Sequence, residues 1–218
     1  MKEICYSREE LKKIPELDKN LEKLIIYHNK ISEITDLPDS LVELDISDNT
    51  IKRIEKLENL NELQTLDLSF NLISKIENLE NNTKLERLSL FANDITTIEN
   101  LESLVNLKHL DISCNEIKVI ENLNNNVKLE QLYLANNSIS ELPDLTFLTE
   151  LKVLGLQNNK FKVIDCNLLP KSIHTLLLGQ NSQLANVVNL KRLDSISILE
   201  LTNTNYKFTE KINNLEIW

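Results

Sequence analysis

Leucine and isoleucine recur along this chain at fixed intervals: an apolar residue, a second three positions on, a third two further, then asparagine and another aliphatic residue, as in Leu63, Leu66, Leu68, Asn71 and Ile73. Aligned on LxxLxLxxNxI, units start at Leu21, Leu41, Leu63, Leu85, Leu107, Leu129, Leu151 and Ile173, spaced 20 residues once and 22 thereafter. Such a period marks a solenoid, because one unit cannot bury its apolar face alone and must stack on its neighbours. The second and third aliphatic positions differ by two, the period of a strand. They therefore point to one side of a short strand while the residues between them point to the other. A return segment such as Ile76 to Leu85 then carries a second apolar stripe back beneath the strand. Its shortness and its Asn and Pro content favour turns or short 3₁₀ segments over full helices. The fold predicted is an α/β solenoid, a horseshoe of about ten repeats with a parallel β-sheet on the concave face and turns or short 3₁₀ segments on the convex face.

Asn29, Asn49, Asn71, Asn93, Asn115, Asn137, Asn159 and Asn181 hold the same offset in their units. A carboxamide offers both donors and an acceptor, so inside a turn it can satisfy peptide groups that are costly to bury unpaired. One domain spans 1–218: an N-terminal capping repeat over 1–20, regular repeats over 21–195, and a degenerate C-terminal repeat or cap over 196–218. Met1, Ile4, Tyr6 and Leu11 take the leucine positions of the first unit. Ser7-x-x-Glu10 stays open to a second reading, the capping box of a short helix. Ile196, Leu199, Leu201 and Tyr206 make a last unit with Thr204 in place of asparagine, and Lys207 to Trp218 is either a cap or the start of a further strand.

The stretches from Leu63 to Leu85 (LQTLDLSFNLISKIENLENNTKL) and Leu85 to Leu107 (LERLSLFANDITTIENLESLVNL), with IENL again at Ile120 to Leu123, resemble the leucine-rich-repeat family. They are similar to its 22-residue class, typified by the leucine-rich regulatory subunit of protein phosphatase 1. The resemblance covers nearly the whole chain and implies a non-catalytic scaffold that holds a protein on its concave sheet, with a protein phosphatase 1 catalytic subunit as the favoured partner. Two features depart from that class: no Asn-Pro and Tyr cap follows Asn181 and Ile196, and Leu-Pro-x-Ser occurs at Leu37 to Ser40 and Leu169 to Ser172. Similar repeats in axonemal, spliceosomal and internalin proteins keep two alternatives open, a cytoskeletal or ribonucleoprotein component and a secreted internalin-like effector.

Composition narrows the chemistry. Two glycines among 218 residues cannot build phosphate loops or nucleophile elbows. A net charge of -10 opposes a phosphate backbone or an anionic membrane, so neither nucleic acid nor membrane is expected as a partner. The segment from Met1 to Leu11 lacks the apolar core of a signal peptide and no run reaches membrane-spanning length, which places the expected location inside the cell, in cytoplasm and/or nucleus. Cys5, Cys114 and Cys166 read as free thiols, and the sequons at Asn81 and Asn136 as accidental. No cofactor is implied, and the expected state is a monomer or a weak dimer through an exposed sheet end.

The concave positions follow from the register. Asp45 and Asp67 should face each other on adjacent strands, a like-charge pair that a basic partner would relieve. Tyr27, Phe70, Phe91 and Tyr133 are exposed aromatics interleaved with Arg87, Ser89, His109 and Asp111, a composition typical of protein-binding surfaces. Both glycines, Gly155 and Gly179, fall on this face, where bare backbone allows close approach. Asp in Leu-Asp-Leu-Ser also belongs to the repeat consensus, so the acidic patch has a scaffold reading beside the functional one. Ser89, His109 and Asp111 do not read as a catalytic set. His109 and Asp111 stand two residues apart on one strand with parallel side chains. His28, His109 and His174 lie too far apart for a metal.

Overall fold

The computed structural model describes residues 2–208 and 215–218, so the first leucine position, Met1, lies outside the described residues. The strands are β1 (Glu3–Cys5), β2 (Lys23–Ile25), β3 (Glu43–Asp45), β4 (Thr65–Asp67), β5 (Arg87–Ser89), β6 (His109–Asp111), β7 (Gln131–Tyr133), β8 (Val153–Gly155), β9 (Val163–Asp165), β10 (Thr175–Leu177), β11 (Asn186–Val188), β12 (Ile198–Glu200) and β13 (Glu216–Ile217). All but β9 and β11 form one parallel sheet of eleven strands in chain order. The register keeps Leu44, Leu66, Leu88, Leu110, Leu132 and Leu154 side by side, and all are buried in a single aliphatic core. This is the stacked, nearly helix-free solenoid that the spacing predicts.

Three details differ from expectation or decide between alternatives. Residues 7–10 form no helix; the Glu9 and Leu11 amides both donate to Asn29 Oδ1 at 3.1 Å, which makes this segment the turn of the first coil. The C-terminal end supplies a further strand, with Glu216 and Ile217 paired to Ile198 and Leu199. The return segments hold a second, two-stranded parallel sheet of β11 on β9, which the repeat pattern does not announce. Its β-branched Val163, Ile164, Val187 and Val188 favour extended backbone over turns. Short 3₁₀ helices at Cys166–Leu168 and Leu190–Arg192 follow these two strands.

The asparagines join one coil to the next. Asn71 Nδ2 donates to Leu68 O and Ser69 O of its own coil, both at 3.1 Å, and to Ile46 O of the preceding coil at 3.2 Å. Its Oδ1 accepts the Ile51 amide at 2.9 Å. The same pattern brings Ile31 to Asn49, Ile73 to Asn93, Ile95 to Asn115, Ile117 to Asn137, Ile139 to Asn159 and Phe161 to Asn181. Thr204 keeps one rung, Oγ1 to Leu201 O at 2.9 Å. The Leu-Pro-x-Ser sites have their own reason: Ser40 and Ser172 hydroxyls donate to Leu21 O and Leu151 O at 2.7 and 2.8 Å.

A second set of buried asparagines sits in the return segments. Asn82 and Asn126 alternate with Leu60, Leu104 and Leu148 at equivalent positions. Each donates two bonds to carbonyls of the preceding coil, while its Oδ1 has no partner. The two asparagine sets should therefore respond unequally to leucine. Removing Asn71 strands the buried Ile51 amide, at about 1–3 kcal/mol, and takes one donor each from Ile46 O, Leu68 O and Ser69 O, so Asn71→Leu should lose about 2–4 kcal/mol in urea unfolding. Asn82→Leu removes an unpaired oxygen and restores the residue of neighbouring coils, and should stay within about 1 kcal/mol of the parent. Equal losses would contradict the distinction.

Candidate protein-binding face

The sheet displays the outward residues in straight rows because the register never slips. Lys23, Glu43, Thr65, Arg87, His109, Gln131 and Val153 form one row, and Ile25, Asp45, Asp67, Ser89, Asp111, Tyr133 and Gly155 the next. Backbone pairing continues past the strands: Phe70 N donates to Phe91 O at 2.7 Å. The sequence-derived set thus occupies one continuous surface, with Tyr27 on the coil of β2 and Gly155 at the far side.

The aspartates serve the turns. Asp45, Asp67 and Asp111 each accept the amide two residues on, from Ser47, Ser69 and Ser113, at 3.0, 2.8 and 2.9 Å. This explains why Asp recurs in the consensus. Among the described residues none of the three joins a salt bridge, whereas Lys108 with Glu86 and Lys152 with Glu130 pair across strands at the margin of the face. Burial pushes the Asp67 carboxyl above the usual carboxylate range; hydrogen bonds from Ser69 oppose this, and the Asp45 and Asp111 charges add to it.

Two aromatic pairs flank this acidic row. Phe70 and Phe91 meet edge to face with centroids 5.0 Å apart, and His109 tilts on Tyr133 at 5.5 Å. The backbone at the glycines is not open as the sequence suggests, because this chain's own side chains fill the space. A Cβ on Gly155 would lie 2.9 Å from the Tyr133 ring, so Gly155 seats that ring. The Glu200 carboxylate covers Gly179 and accepts its amide at 2.8 Å. Ser89, His109 and Asp111 are engaged elsewhere. Ser89 Oγ bonds Ser69 Oγ at 2.7 Å, His109 Nδ1 bonds Gln131 Oε1 at 2.7 Å, and Asp111 holds the Ser113 amide. No proton relay connects them.

Among the described residues no cluster of three His, Cys, Asp or Glu side chains could hold a metal, and no helix is long and apolar enough to cross a membrane. Cys5 and Cys114 are free thiols, and Cys166 is buried in the core. The left-handed backbone at the residue before each ladder asparagine has no signal in the repeat spacing; it includes Phe70 at φ 53° and Cys114 at φ 57°.

This geometry is that of a leucine-rich-repeat protein, and the chain is one. Models described as Leucine Rich repeats (2 copies) match residues 39–81 and 83–125, and Leucine Rich Repeat matches 128–148. Within that class it is of the 22-residue kind. A 45-residue stretch is 47% identical to Protein phosphatase 1 regulatory subunit SDS22 of Schizosaccharomyces pombe; it makes up 21% of this chain and 14% of that protein. Among solved structures, YopM of Yersinia pestis superposes with a TM-score of 0.78 at 23% identity, over 99% of this chain and 64% of that one. InlJ of Listeria monocytogenes superposes at 0.67 and 21% identity, over 94% of this chain and 49% of that one. These likenesses establish the fold.

The half-buried Asp67 carboxylate gives a test of the electrostatics. A raised carboxyl pKa means that ionised Asp67 costs the folded state stability at neutral pH. The cost vanishes once pH falls below the ordinary value of 3.8, where both folded and unfolded chains are protonated. Asp67→Asn keeps an acceptor for the Ser69 amide. It should melt above the parent at pH 7, with the gap closing as the pH approaches 3.5, roughly the range where free carboxyls take up protons. A gap independent of pH would contradict it.

Proposed function

We propose that this chain is a non-catalytic scaffold that binds a protein with a basic surface through the concave sheet between Tyr27 and Tyr133, and that a protein phosphatase 1 catalytic subunit is the partner. The observation that carries this reading is the unneutralised row of Asp45, Asp67 and Asp111 set between the Phe70–Phe91 and His109–Tyr133 pairs. Desolvated aromatic anchors inside a charged surround are the usual content of protein-binding hot spots. The local likeness to the phosphatase subunit supports the choice of partner, since its 45 matched residues are of the same repeat class. The protein's place is then inside the cell, with that phosphatase.

The experiment is capture of purified protein phosphatase 1 catalytic subunit by the immobilised chain, with and without Asp45→Lys plus Asp67→Lys. The parent should retain the phosphatase at micromolar concentration or below, and the double reversal should weaken it at least about tenfold, since facing like charges cost more than lost contacts. Absence of capture by the parent removes the phosphatase. Capture unchanged by the reversal removes the concave face.

A further inference from the structure

The slot before each ladder asparagine is left-handed in every regular coil, and it is filled by His28, Asp48, Phe70, Ala92, Cys114, Asn136, Asn158 and Gln180. Asn, Asp and His are enriched in this conformation because short polar side chains tolerate it, whereas a bulky side chain there is an outlier. Phe70 is the large apolar side chain of the series. It is 55% exposed, so the core does not hold it there. Its contact is the edge of Phe91, and Leu72, two residues on along the same turn, is also exposed. An apolar island at the lip of the sheet thus interrupts a slot that other coils fill with smaller or polar residues.

Carboxylates border the island. Asp67 stands three residues before Phe70 on the same coil, with Asp45 beside it on the neighbouring strand. Asp48 occupies the same slot as Phe70 one coil earlier, where it pairs with His28. Aromatic faces attract cations, and a guanidinium adds planar stacking and a donor fork matched to carboxylates, which an ammonium lacks.

We propose that Phe70 and Phe91 form an anchor for an arginine-bearing segment of the protein partner, its guanidinium lying over the Phe70 ring and reaching the carboxylates of Asp45 and Asp67. This rests on the concave-face reading above and names the chemistry of what that face takes. The strained backbone at Phe70 is maintained for recognition, since the fold gains little from the ring.

The test uses the full chain and fluorescein-labelled nonamers of arginine, lysine and glutamate. The parent should bind the arginine peptide more tightly than the lysine peptide and leave the glutamate peptide unbound. Phe70→Asn suits the left-handed slot and should melt within about 2 °C of the parent, yet bind the arginine peptide about threefold to thirtyfold more weakly. Equal affinity for the two basic peptides, unchanged binding by Phe70→Asn, or a melting point lowered by more than about 4 °C overturns the anchor. Asp45→Lys plus Asp67→Lys, measured alongside, separates the two readings. If it alone loses the arginine peptide, the concave face stands and the anchor falls. If neither variant loses it, both fall.

Discussion

A coil of 22 residues that is neither helix nor hairpin leaves many peptide groups with no partner inside their own element, and in a solenoid those groups are buried between neighbours. The ladder asparagine answers this constraint with one side chain. Its amide closes the turn of its own coil and reaches the carbonyl of the coil before, while its oxygen takes the amide of a residue such as Ile51 or Ile73. The aliphatic core supplies the driving force for stacking, but it would tolerate sliding. The ladder sets the pitch and the register, because a shift by one residue would unpair every rung.

The surface inherits that precision. Rows such as Asp45, Asp67, Ser89, Asp111 and Tyr133 are straight only because each strand pairs residue for residue with the next. The aspartates show how scaffold and function share a residue: one oxygen holds the turn amide, and the charge remains unneutralised on the face. Gly155 carries the same lesson from the other side. Its missing side chain makes room for the Tyr133 ring and so fixes an aromatic group within the sheet.

Most of the architecture was legible in the sequence. Period two inside the strand, the constant asparagine offset and the 22-residue repeat together specify a parallel-sheet solenoid and the residues on each of its faces. What escaped was local. The β9 and β11 pair depends on β-branched residues in segments that elsewhere turn, and two such stretches do not make a repeat. The buried Asn82 and Asn126 were hidden because leucine holds the equivalent position in the alternate coils, so no asparagine row stands out. The state of the glycines could not be read because it depends on where Tyr133 and Glu200 turn, a matter of packing. The exposed setting of Phe70 followed from the register, but its left-handed backbone required coordinates.

Native-state hydrogen exchange tests the central claim most directly. The amides of Ile31, Ile51, Ile73, Ile95, Ile117 and Ile139 lie outside the strands and are bonded to ladder asparagines of the following coil. They should exchange as slowly as the strand amides of Leu66, Leu88 and Leu110, through unfolding of the stack. Rapid exchange of this set beside protected strands would mean that the asparagines do not join the coils, and the register of the displayed face would lose its physical basis.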